Sequence, residues 1–352
     1  MAEGGALLRR YTDKIRIEGS NPSLSARDPI PMELRLNRFV CCACVLAALA
    51  SVPAFAQFPA RAVTLVVATP PGGPADVAAK MIATKLIERW GRAVLVDNKP
   101  GAAGLAFVAG AEADGHVLLM GNVATQAIEP SLYKKLPYDA ARAFAPVSLV
   151  AEVPLVLLVQ PSIKAQGPGD VVALARQKPQ ALKYSSAGNG SLMHLAAVLF
   201  ENTTRVQLSH SPQKGEAEAL SAVLSGNATL AFAPLTEALG PIAAGKLRAL
   251  AVTSAQRAPA VPKLQTVAES GFPGYEAASW FGILAPAGTT AAVLDKISKD
   301  VQRVATGADV RHKLEQQGAI TVGSSPAQFK SRIDSDRQRY GRVIHDRGIT
   351  PD

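Results

Sequence analysis

The sequence predicts an α/β fold built on largely parallel strands. Three observations predict it. Short apolar runs alternate with amphipathic segments, glycine-containing loops join a run to the helix that follows, and 352 residues give room for two ordinary domains. Composition agrees: 48% hydrophobic and 18% charged residues describe a folded globular chain. Aromatics make up only 5%, and with plentiful Ala and Gly this suits close helix-on-sheet packing.

The elements follow in order. Residues 62–68 (AVTLVVA) read as a buried strand, followed by the turn TPPGGPAD (69–76). A helical stretch comes next, with Val77, Met81, Leu86 and Trp90 expected largely on one face. Residues 93–96 and 117–120 are further strands, separated by NKPGAAG (98–104) and a small-residue helix. The long apolar run 147–159, interrupted at Pro154, suits a passage from one domain to another, and 277–285 suits the return. Between them, 182–185, 207–209, 228–233 and 247–253 read as strands. Towards the C-terminal end Ser325-Pro326-Ala327-Gln328 is a capping-box start, with Phe329, Ile333 and Tyr340 on one helical face.

The N-terminal region carries an address. From Met32, a basic stretch with Arg35 and Arg38 precedes the apolar run 39–50 and an Ala54-Phe55-Ala56 cleavage site. The run is too short to span a bilayer comfortably, so 32–56 is expected to be a secretory signal. Residues 1–31 lack any helical or strand period and are expected to be an over-extended reading frame. Cys41, Cys42 and Cys44 all fall inside the signal, so the chain from Gln57 has none. That excludes a disulfide scaffold, a cysteine nucleophile and thiolate metal sites. A lipid anchor at Cys44 is the other reading, but the preceding VCCA lacks a leucine-led context.

The formal net charge is +9, yet the basic residues are scattered, the densest blocks being Arg9-Arg10 and Lys134-Lys135. Without basic–aromatic interleaving, nucleic acid is not an expected partner. His116, His194, His210, His312 and His345 are isolated, and the phosphate-loop, dinucleotide, zincin and serine-elbow motifs do not occur. No cofactor, metal or catalytic residue is therefore expected. A hydrolase using Ser185 or Ser191 is the remaining enzyme reading, although Ser191 and His194, three residues apart, suit helix capping first.

Three loops stand where a strand meets a helix: 70–76, 100–104 and 185–194 (SSAGNGSLMH). Each fits a tight βα turn, and each also fits anion capture, because glycine lets backbone N–H groups approach a ligand where a helix N-terminus carries partial positive charge. Ser185, Ser186 and Ser191 add hydroxyls. Asp76 reads either as a capping or first-turn acid or as a polar group at the floor of a ligand cleft.

Taken together, PPGGPAD (70–76), DNKPGAAG (97–104), SLYKKLPYD (131–139), FAPVSLVAEVPLVLLV (144–159), YSSAGNGSLMHLA (184–196), GKLRALAVTSAQRAP (245–259) and ESGFPGYEAASWFGILAPAGT (269–289) form an ordered set. In these stretches the chain resembles the Bug-type receptors, extracytoplasmic solute-binding proteins of the tripartite tricarboxylate transporter family. The resemblance implies a type II periplasmic-binding fold with two α/β lobes around a ligand cleft. Lobe 1 would be 57–158 and 276–352, and lobe 2 would be 159–275. It further implies a monomer in the periplasm that binds a small organic acid, with membrane transporter subunits or, for an orphan receptor, a sensor protein as partner. The implied ligand contacts are Thr69, Pro71, Gly72, Gly73 and Asp76 on one loop, Ser185, Ser186, Gly188 and Ser191 on the other, and Gln213.

The chain departs from the family pattern at four places. Thr69 stands where Phe is usual, PQKG (212–215) where PYKG is usual, and Phe232-Ala233-Pro234 where F-D-N is usual; an Asp common near Thr229 is replaced. These changes predict a more polar or differently shaped solute than the family's usual dicarboxylates.

Overall fold

The computed structural model describes residues 58–352. The expected signal, the residues upstream of it and the three cysteines lie outside the described residues. Strand β1 (Val63–Val67) leads to α1 (Pro74–Trp90), β2 (Val94–Asn98), α2 (Ala102–Ala109) and β3 (Val117–Asn122). A π turn (Ala124–Ile128), α3 (Glu129–Leu132) and the long β4 (Phe144–Val159) come next. Then follow α4 (Pro168–Gln177), β5 (Lys183–Ser186), α5 (Leu192–Thr204), β6 (Ser209–Pro212), α6 (Glu216–Leu224), β7 (Leu230–Pro234), α7 (Leu235–Ala243) and β8 (Arg248–Val252). The chain closes with β9 (Ala278–Pro286), α8 (Ala291–Ala305), α9 (Ala308–Gln316), β10 (Ile320–Thr321) and α10 (Pro326–Asp346).

The strands run in the order β2-β1-β3-β9-β4-β7-β5-β6, with β8 and β10 also pairing with β4. β1 is parallel to β2 and β3, and β5 is parallel to β6 and β7. Two parallel blocks are thus joined through the antiparallel strands β4 and β9. β4 serves both blocks: Phe144 to Pro154 pairs with β9, and Leu155 to Val159 pairs with β7 and β8. Pro154 was expected to interrupt this run. Instead the strand continues and changes partners there, at the residue that has no N–H to donate to a ladder.

The strands β1, β3, β4, β7 and β9 are largely buried on both faces, which is why they read as nearly continuous apolar runs rather than alternating ones. In β4, Leu155, Leu157 and Val159 face Tyr184, Phe200 and Phe232, while Val156 and Leu158 face Leu220, Val223 and Val252. In the other block Leu65 and Val67 join Ile82, Leu86 and Ile283, while Val66 and Leu119 join Trp280, Phe329 and Tyr340.

The face of α1 differs from expectation. Ala75, Asp76, Ala78, Ala79, Ile82, Ala83 and Leu86 are buried, whereas Val77, Met81 and Trp90 lie at the margin. Alanines let the helix axis approach the sheet closely, so the larger side chains are displaced to its flanks. The start of α10 is as read: Ser325 Oγ accepts the Gln328 N–H and Gln328 Oε1 accepts the Ser325 N–H, with Pro326 in the first turn. Among the described residues no helix is long and apolar enough to cross a membrane.

Candidate ligand site at the strand ends

The first loop leaves β1 at Ala68 and enters α1 through Gly72, whose φ of +89° favours glycine, and the N-cap Gly73, which has no side chain to cap the helix. Asp76 does the holding. It is fully buried, and its carboxylate accepts the Gly72 N–H at 2.8 Å, the Asn98 amide at 3.1 Å and the Lys80 ammonium at 2.7 Å. Burial pushes its pKa up, but the Lys80 ammonium and the Gly72 and Asn98 donors outweigh burial and hold it below the usual carboxylate value. Of the two roles read for Asp76, the first-turn brace is the one this geometry displays.

What the brace leaves free matters more. The N–H groups of Gly73, Ala75 and Asp76 find no hydrogen-bond partner among the described residues. The buried Thr69 hydroxyl has none there either, while the Thr69 carbonyl accepts from the Asn98 amide at 3.3 Å. Pro71 and Gly72 are exposed beside them.

The second loop, 187–191, is held differently. Ser185 and Ser186 are fully buried: Ser185 Oγ donates to the Ala219 carbonyl at 2.7 Å, and Ser186 Oγ meets His210 Nε2 at 2.7 Å and the Gly188 carbonyl at 3.2 Å. Ser191 is the N-cap of α5; its Oγ donates to the Gly188 carbonyl and accepts the His194 N–H. The three hydroxyls offered as ligand donors therefore hold the loop. His194 Nδ1 accepts the Gly190 N–H at 3.1 Å, so the neutral ring carries its proton on Nε2. Burial first, and then the neighbouring His210, push the His194 pKa down to about 4; burial lowers His210 as well. The rings of Tyr184, His210 and His194 stack, with centroid separations of 4.8 and 4.0 Å. Gln213 extends the ladder through its N–H to the Ser186 carbonyl, and its side-chain amide turns back onto Ser211.

A Cβ at Gly190 would lie 2.5 Å from Leu132 Cδ2, so this loop presses on α3, which follows the π turn after β3, the strand that pairs with β1. Helices α6 and α7 begin on the same edge as α5, because β6 and β7 run parallel to β5. There desolvation by the surrounding protein, and then the nearby Glu237, push the Glu216 carboxyl up to about 7, although Glu216 itself is largely exposed. Sequence reasoning missed Asn98, Asn189, His210 and the Glu216–Glu237 pair. Asn98 alone carried a local signal, as the polar residue ending a strand before a Lys-Pro-Gly turn.

Two parallel α/β blocks joined by long antiparallel strands, with N–H-lined loops where strands meet helices, define a periplasmic-binding type of fold. The family model for the tripartite tricarboxylate transporter family receptor matches residues 78–349, and the chain belongs to that family. BugT of Bordetella pertussis is 32% identical over 295 residues, covering 83% of this chain and 90% of BugT. The R. palustris protein Rpa4515, solved with adipate, is 34% identical at a TM-score of 0.72, covering 84% of this chain and all of that one. MatC from Rhodopseudomonas palustris, solved with bound malate, is 28% identical at a TM-score of 0.67, covering 82% of this chain and all of MatC.

Proposed function

We propose that this chain is a periplasmic receptor that captures a small organic carboxylate between lobe 1 (57–158 and 276–352) and lobe 2 (159–275). It hands the solute to membrane transporter subunits and catalyses nothing. The observation that carries this reading is the set of unpartnered N–H groups at Gly73, Ala75 and Asp76 beside the orphaned Thr69 hydroxyl. A carboxylate fits such donors: they sit at a helix N-terminus, they are already oriented, and each bond to a charged group contributes about 1.5–3 kcal/mol. The acids bound by Rpa4515 and MatC support the same class of solute.

In this reading the Thr69 hydroxyl and the N–H groups of Gly73, Ala75 and Asp76 meet the ligand, while the Asp76 carboxylate, Ser185, Ser186 and Ser191 hold the loops in shape. Thr69 in place of the family's usual Phe favours a hydroxylated acid. The test is thermal melting of the purified protein against adipate, malate, aromatic acids and other hydroxylated acids. An acid present at about 100 times its Kd should stabilise the fold by about 2.7 kcal/mol, a shift of a few degrees. If every acid leaves the midpoint unmoved, the carboxylate receptor is the wrong reading.

A further inference from the structure

Beyond α10 the chain runs back along the second block. The Arg347 guanidinium donates to Asn202 Oδ1 at 2.5 and 3.2 Å, and the segment ends its course against the loop 187–191. There the Asp352 side chain meets one residue twice: Oδ2 accepts the Asn189 backbone N–H at 2.9 Å, and Oδ1 accepts the Asn189 side-chain amide at 2.5 Å. Gly188 makes this approach feasible. Its φ is +104°, and a Cβ there would fall 2.7 Å from Asp352 Oδ2 and 3.5 Å from the Gln213 carbonyl. Two donors of one residue matched to two oxygens, with the neighbouring side chain deleted, form a fitted seat for a carboxylate.

We infer that the Asp352 side chain is the chain's own competitor for a solute carboxylate at the Gly188–Asn189 end of this loop. The inference rests on the proposed function for its biological meaning, since the loop is one of the two assigned to the solute. A solute carboxylate reaches Asn189 only by displacing Asp352, which is tethered nearby at an effective concentration on the order of millimolar. Acids that bind only weakly are thereby kept from this end of the site until Asp352 leaves.

The experiment is an amide NMR titration of the full protein with acetate, comparing the natural chain with Asp352→Ala and Asp352→Asn. Asp352 is exposed, so neither change disturbs the core. In both variants the Asn189 backbone and side-chain N–H signals should shift saturably, at acetate concentrations about tenfold lower than in the natural chain. Equal midpoints in all three proteins, or an Asn189 that ignores acetate in the variants, would overturn the inference. Melting with adipate and malate separates the two readings. Acetate moving Asn189 while neither acid stabilises any of the proteins would keep the competition and remove the receptor reading. A dicarboxylate stabilising all three equally, without moving Asn189, would keep the receptor and remove the competition.

Discussion

The loops at 68–73 and 187–191 occupy equivalent places, each between the end of a parallel strand and the start of a helix, yet they are held by opposite means. At the first, one buried carboxylate, Asp76, gathers an N–H, an amide and an ammonium. The N–H groups beyond Gly72 stay open. At the second, the braces are neutral: Ser186 on His210, Ser191 on the Gly188 carbonyl, and His194 on the Gly190 N–H. Here three donors are engaged, by His194 at Gly190, by the Gly188 carbonyl at Ser191 and by Asp352 at Asn189, and only the Ala187 and Gly188 N–H groups of the loop find no partner among the described residues. A short loop has few N–H groups, and each can hold the loop or hold a ligand. Assigning the bracing to one charged side chain frees donors, at the cost of a negative charge near the site that Lys80 offsets.

Removing the charged brace should have the largest effect. Asp76→Ala leaves the Gly72 N–H and the Asn98 amide without their acceptor, and is expected to lower unfolding free energy by about 3 kcal/mol and to weaken solute binding. Urea unfolding alongside acid-induced melting shifts checks both, and a variant that keeps stability and binding would dissolve the contrast between the loops.

Acid should separate the loops by pH. His194 has a folded pKa of about 4 against 6.5 unfolded, so the unfolded chain takes up the proton first as pH falls. Its contribution to stability is present above 6.5 and is lost between 6.5 and about 4. Asp76 also has a depressed folded pKa, so its contribution is present above its ordinary value of 3.8 and is lost only as pH falls below it. Urea midpoints at pH 7, 5.5, 4 and 3 should therefore decline less steeply down to pH 4 in His194→Gln, whereas Asp76→Asn should flatten the curve only between pH 4 and 3. The reverse assignment would mean that the two braces have been misread.

The smallest difference lies in the turns. Gly72 and Gly188 both have positive φ, but a Cβ at Gly72 meets nothing within 4 Å whereas one at Gly188 meets Asp352. Gly72→Ala should cost about 1 kcal/mol from backbone strain alone. Gly188→Ala should cost about twice that and detach Asp352 from Asn189, visible as an altered Asn189 side-chain amide signal. Equal costs with Asn189 unmoved would show that Asp352 does not depend on the missing side chain.

Much of this was legible in the residues. Runs such as 147–159 are apolar throughout because both faces of the sheet are covered, and apolar run length is a local property. The caps at Ser191 and Ser325 were legible because a cap acts within three residues. The glycine loops were legible because positive φ favours one residue type. The family resemblance on motifs such as DNKPGAAG and YSSAGNGSLMHLA was confirmed by the family match over 78–349.

What the amino-acid order determined by itself was therefore the α/β rhythm, the loops at strand ends and the class of receptor they resemble. Each of these is written in spacings of a few residues. Only the tertiary structure decided which donors remain open. Asp76 finds Asn98 22 residues away, Ser186 finds His210 24 away, and Asn189 finds Asp352 163 away. A hydroxyl or carboxylate is the same group in the sequence whether it faces a solute or a neighbouring loop. Its partner is chosen when the chain buries it, because a buried polar group must be satisfied by whatever the fold has brought within about 3 Å.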